Sequence, residues 1–169
     1  MARLENLLGA LSLDVADRLW SVGAAHDLSA SEQSALVTLH EYPDRSTSWL
    51  GEVLRLTSGG ATRLVDRLVD RGLVARSAGP DARQRRLRLT AAGTRRAKAL
   101  NAERLDVLRG LLAPLTADEQ ARLTRLLERL VGSLYDEHAP TLHTCRLCSR
   151  EACRTGAPCP LDHLVPADV

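Results

Sequence analysis

At 169 residues, 44% of them hydrophobic but only 2% aromatic and none of them Phe, the chain can bury one core, built from Leu, Val and Ala. That composition favours helix-on-helix packing, and the 23 Lys and Arg nearly balance 21 Asp and Glu for a formal charge of +2. Glu5, Asn6, Asp14, Asp17 and Arg18 interrupt the first apolar stretch, which argues against a signal peptide or membrane span and makes a soluble cytoplasmic protein the expectation.

Leu4, Leu7, Leu8, Leu11, Val15 and Leu19 keep helical spacing and predict a first helix ending near Gly23. Ser29 with Glu32 is a capping-box signature, so a second helix should start there and run to about Tyr42, where Pro43 stops it. Ser46 to Leu56 reads as a short third helix carrying Trp49, Leu50, Val53 and Leu54. Thr57-Ser58-Gly59-Gly60 reads as a tight turn into the next element.

Between Ala61 and Val74, Leu64, Val65 and Leu68 fall on one side of a helix, and Arg63, Arg67 and Arg71 repeat every fourth residue on another. Gly72 ends this helix as a C-terminal cap does. Ala75 to Leu89 predicts two short strands joined through Gly79-Pro80-Asp81, with Arg83, Arg85, Arg86 and Arg88 around the turn. A helix followed by a basic hairpin is a winged helix-turn-helix pattern.

Charge supports a nucleic-acid role. Residues 58 to 98 hold eleven Lys or Arg against three acids, a local balance of +8 that leaves −6 for the rest of the chain. A basic segment in an acidic body is a footprint for phosphate, with affinity that falls steeply with salt. The competing explanation, a solvated face with pairs such as Arg63–Asp66 and Arg67–Asp70, accounts for the helix but not for the arginines of the hairpin.

Thr90 caps a long helix that keeps Leu100, Leu105, Leu108 and Leu112 in phase until Pro114. Thr116 with Glu119 forms another capping box, followed by Leu123, Leu126, Leu127, Leu130, Val131 and Leu134. These helices and the first hold more Leu than a small winged domain buries, so a second protomer is expected to cover them; an intramolecular core is the alternative. Two-fold symmetry would also present two half-site readers to double-stranded DNA.

Taken together, residues 28 to 135 resemble a MarR-family transcriptional regulator. The resemblance rests on Leu28-Ser29-Ala30-Ser31-Glu32-Gln33, Leu50-Gly51, Thr62-Arg63-Leu64-Val65-Asp66-Arg67-Leu68, Arg71-Gly72-Leu73-Val74, Asp81 with Arg83, and Leu89-Thr90-Ala91-Ala92-Gly93. It implies a homodimer that binds pseudo-palindromic operators, usually as a repressor released by a small-molecule effector or by oxidation. By the same resemblance Ser58, Thr62, Arg63 and Arg67 face the major groove, Arg83 and Arg85 enter the minor groove with Arg86 beside them, and Asp81 pairs an arginine within the wing. Gly59-Gly60 departs from the family, where larger polar residues are common.

After Pro140 the composition changes. Cys145, Cys148, Cys153 and Cys159 form C-x2-C-x4-C-x5-C, outside the family pattern. In a reducing compartment four thiolates at this spacing suit a tetrahedral Zn2+, close to a zinc knuckle. They also suit an iron-sulfur cluster, with Pro160 beside the last Cys, or a metal-free thiol switch. His143 and His163 flank the group, as replacement ligands or as solvent-exposed residues, while His26, His40 and His138 mark helix ends.

The expected architecture is therefore mainly α. It comprises a dimerisation helix (1–27), a winged helix-turn-helix domain with a two-stranded wing (28–93), further dimerisation helices (94–138) and a short Cys-rich metal-binding tail (139–169). A metal-knuckle interaction adaptor and a thiol or metal enzyme are the competing functions. The enzyme is disfavoured because four thiolates fill a tetrahedron and no Ser/His/Asp set or phosphate loop accompanies them.

Overall fold

A computed structural model describes residues 2–78, 85–134 and 141–161. The turn Gly79-Pro80-Asp81, Arg83, His138 and His163 lie outside these residues. Helix α1 (Ala2–Ala25) is followed by α2 (Ala30–Glu41), α3 (Thr47–Leu54) and α4 (Ser58–Asp70). Strands β1 (Val74–Ala78) and β2 (Arg85–Leu89) pair antiparallel, Val74 opposite Leu89 and Ala78 opposite Arg85. Helices α5 (Ala91–Leu112), α6 (Ala117–Gly132), α7 (Thr141–Thr144) and α8 (Arg150–Arg154) complete the order. The fold is a mainly helical winged helix with a two-stranded wing.

Local chemistry sets most boundaries. The Ser29 and Thr116 hydroxyls accept from the Glu32 and Glu119 amides, and each Glu side chain bonds back to the cap amide, so both capping boxes form. Thr90 accepts from Gly93 N at 3.0 Å to start α5. At the end of α4, Gly72 takes φ +66° while its amide reaches Val69 O and the Leu73 amide reaches Leu68 O, the Schellman arrangement.

One boundary differs from expectation. Thr57, not a later residue, caps α4 by accepting from Gly60 N at 3.2 Å, so Ser58-Gly59-Gly60 is the first helical turn rather than a turn before the helix. A Gly pair reads as a turn because its helix propensity is poor, but the cap outweighs it.

Leu36, Leu39, Leu50, Leu64, Leu68, Leu87 and Leu100 form the centre of the core, where α2, α3 and α4 meet the wing and α5. By contrast Leu4, Leu7, Leu8 and Leu11 of α1, with Leu126, Leu127, Leu130 of α6 and Leu134 beyond it, are 46–72% exposed. Helix α6 buries none of its residues within the chain. No helix among the described residues is long and apolar enough to cross a membrane.

Candidate nucleic-acid interface and cysteine segment

Burial of Ala61, Leu64, Val65 and Leu68 fixes the rotation of α4 and leaves Ser58, Thr62, Arg63 and Arg67 exposed. Arg63 has no ion pair among the described residues. A Cβ added at Gly59 would stand 3.4 Å from Arg63 Nη1, so the guanidinium lies back over the first turn of α4. Gly59 clears that space, at the helix end where the dipole favours anions.

Arg67 differs from Arg63. Its Nε stands 3.5 Å from Glu32 Oε1, and Arg71 Nη1 lies 3.7 Å from the same oxygen. Burial pushes the Glu32 carboxyl up, but hydrogen bonds from the Ser29 amide and hydroxyl, with the Arg71 and Arg67 charges, bring it below the usual range. The pairs Arg63–Asp66 and Arg67–Asp70 do not form; Asp66 takes Arg76 instead, at 2.5 Å.

On the wing, alternation along β2 puts Arg86 and Arg88 on one face and Leu87, fully buried, on the other. Arg85 is exposed. Arg86 Nη1 donates to Asp44 O at 3.0 Å, so this arginine braces the loop before α3 rather than projecting from it. Arg88 clamps the Asp44 carboxylate with both Nε and Nη2, the latter at 2.7 Å, and this holds the carboxyl below its usual value. The Leu87 amide also donates to Arg45 O at 2.8 Å, a one-residue third strand. Sequence reading missed Asp44; its only local signal is an acid between Pro43 and Arg45.

Acids from outside the basic segment therefore lie against it. Counting Asp27, Glu32 and Asp44, all paired with its arginines, lowers the local balance from +8 to +5. The excess remains positive.

This geometry agrees with known proteins. A model of the MarR family matches residues 26–86. A MarR family protein from Bacillus stearothermophilus is 28% identical, with a TM-score of 0.69 over 76% of this chain and 91% of that one. A probable transcriptional regulator from Pseudomonas aeruginosa is 31% identical over 75% of this chain and 98% of its own, with a TM-score of 0.56. The chain belongs to the MarR family. A mutant of S. aureus MepR bound to an oligodeoxyribonucleotide shares the fold at 17% identity and a TM-score of 0.60, over 78% of this chain and 98% of that one.

The MarR-family match ends before the cysteines. The Cys145 and Cys148 thiols are hydrogen-bonded to each other. That bond lowers Cys148, to about 6, against its burial and with help from Arg104, and it raises Cys145 together with burial and the nearby Cys148, Cys159 and Cys153. Among the described residues no three His, Cys, Asp or Glu side chains are gathered to hold a metal ion. The arrangement is a thiol pair with two more cysteines in electrostatic reach. His143 departs from the expectation of solvent exposure: it is half-buried, donates from Nδ1 to Val53 O at 2.9 Å, and burial pushes it below the usual value.

The segment is also no loose appendage of this MarR-family fold. Leu142 and Leu147 pack on the core, and Leu161 is buried. A cavity of about 370 Å³ lies between α1, α5 and the segment, lined by Leu19, Trp20, Leu108 and Leu147 with Arg104 and Cys148. Arg104 Nη1 is buried without a hydrogen-bond partner among the described residues, while Arg146 stacks on Trp20 at 5.5 Å.

Proposed function

We propose that this chain is a homodimeric, sequence-specific repressor that binds pseudo-palindromic double-stranded DNA, with α4 in the major groove and the wing in the minor groove. The observation that carries this reading is the exposed face of α4, where Ser58, Thr62 and Arg63 share one side of a helix whose other side is locked in the core. Arg85 and Arg83 supply the wing contacts and Arg86 holds the wing in place. The leucine faces of α1 and α6 support dimerisation, because both are exposed and α6 has no buried residue within its own chain. The cavity beside Trp20 and Arg104 suits a small-molecule effector. The MarR family makes an enzyme the weaker reading.

The test uses a duplex selected by the protein from a random-sequence pool. Arg63→Ala and Arg85→Ala should each weaken binding and reduce the salt slope by about one, whereas Arg154→Ala should leave it unchanged. Unchanged slopes in the first two variants would remove both residues from the interface.

The cysteines are read as ligands of Zn2+, with an iron-sulfur cluster as the alternative. Support comes from the C-x2-C-x4-C-x5-C spacing and from the hydrogen-bonded Cys145–Cys148 pair. Elemental analysis and an ultraviolet-visible spectrum of protein purified without oxygen test it. One colourless zinc per chain supports the first reading and iron with sulfide the second. Neither would leave a thiol pair that holds no metal.

A further inference from the structure

Residues 141–161 contain two helices too short to persist unaided, yet they are fastened to two elements of the winged domain, α2 with its C-terminal cap and α3. Thr38 Oγ1 of α2 donates to Arg146 O at 3.2 Å, and the Arg150 amide donates to the Glu41 carboxylate at 3.1 Å. The Arg150 guanidinium lies over the Tyr42 ring at 4.7 Å. His143 reaches α3.

That last contact has the greatest leverage. The final carbonyls of a helix lack donors of its own, and α3 is only eight residues long. The Arg55 and Leu56 amides satisfy Gly51 O and Glu52 O, and His143 satisfies Val53 O. A carbonyl only accepts, so the imidazole proton sits on Nδ1. Two residues later Arg55 turns through φ 53°, and Thr57 caps α4. The packing of α3 on α4 is close, since a Cβ at Gly51 would stand 3.0 Å from Ala61 Cβ. Movement of α3 is therefore passed to the recognition helix.

We propose that residues 141–161 form an intramolecular strap that fixes the end of α3, so that the state of the Cys145–Cys148 pair sets how firmly the recognition helix is held. The two cysteines bracket Arg146, whose carbonyl is fastened to Thr38, whose Nη1 donates to His143 O at 2.6 Å, and whose guanidinium rests on Trp20. Each fastening, at His143, Arg146 and Arg150, thus lies within two residues of one of the two thiols. The strap stands on these contacts alone, whereas its control by an ion rests on reading the cysteines as metal ligands.

The experiment compares full-length wild type, His143→Ala and Thr38→Val after chelator treatment. It follows hydrogen exchange at the Arg55 and Leu56 amides and affinity for the selected duplex. Both variants should exchange about tenfold faster at these amides and bind about tenfold more weakly, with unchanged far-ultraviolet circular dichroism. Unchanged exchange and affinity in both would overturn the strap; if His143→Ala fails to fold, Thr38→Val decides. Zinc sulfate added to the wild type should slow exchange at both amides, and Cys145→Ser should abolish that response. Zinc bound without an effect on the amides overturns the control by an ion but not the metal site. No zinc bound overturns the metal-site reading, while the strap is judged on the two variants.

Discussion

Arg67, on the exposed face of α4, stands 3.5 Å from the buried carboxylate of Glu32 on α2. One carboxylate thus caps α2, through Ser29, and holds two arginines of the neighbouring helix region, Arg67 and Arg71. Glu32→Gln keeps the capping geometry, because Gln also serves in a capping box, but releases the charge. Tighter duplex binding and a salt slope steeper by about one are expected. An unchanged slope in a salt titration would assign Arg67 to the scaffold alone.

The same carboxyl makes stability depend on pH. Its folded value lies below the ordinary 4.5. A depressed carboxyl contributes stability that is complete above that ordinary value and is lost as pH falls through the folded one. Urea midpoints measured from neutral pH down through 4.5 should therefore fall more for wild type than for Glu32→Gln. Parallel curves would show that Glu32 is not the group responsible.

Asp44 ties the wing to the domain by three routes: its carboxylate holds Arg88, its carbonyl accepts from Arg86, and its amide donates to Leu87 O at 3.1 Å. It also has φ 62°, a left-handed conformation that Asp and Asn tolerate and Ala does not. Asp44→Asn should loosen the wing by loss of the ion pair, and Asp44→Ala should loosen it further. Hydrogen exchange at the Leu87 amide is the readout, with weaker duplex binding expected in the same order. Equal protection in all three proteins would show that Arg86 and the backbone suffice.

Gly93 opens α5 where the wing ends, and a Cβ there would lie 2.0 Å from Leu73 O. That oxygen already accepts from the Thr90 amide at 3.0 Å, so backbone rather than a pliable side chain would have to move. Gly93→Ala should lose about 3 kcal/mol or more in urea denaturation. Gly110, later in α5, meets nothing within 4 Å, and Gly110→Ala should gain up to about 1 kcal/mol from helix propensity. A tolerated Gly93→Ala would mean that the joint yields.

Leu130 sits in the exposed leucine face of α6. Sedimentation velocity should find wild type as a dimer and Leu130→Glu shifted toward monomer, with weaker binding to a two-half-site duplex. A dimer unaffected by the charge would move the interface away from α6.

Features set by residues three or four apart are legible in the chain itself. Ser29 with Glu32, Thr116 with Glu119 and the Thr90 cap mark their helices because donor and acceptor lie within one turn of chain. The leucine period marks the buried side of α4, and its arginine period marks the exposed one. Even here Gly59-Gly60 misleads, since propensity speaks for a turn and the Thr57 hydroxyl outweighs it.

Which exposed charges remain available is not legible in that way. Arg63 and Arg67 look alike in the chain, but Arg67 meets Glu32 from another helix and Arg63 meets no acid among the described residues. Arg88 and Asp44 are 44 residues apart, His143 and Val53 are 90 apart, and Thr38 and Arg146 are 108 apart. Sequence periodicity reports the face on which a residue lies, because helix and strand repeats are local. The partner across that face depends on how whole elements pack, so the tethering of Arg67 and Arg71 to Glu32 and the contact of His143 with α3 emerge only from the folded chain.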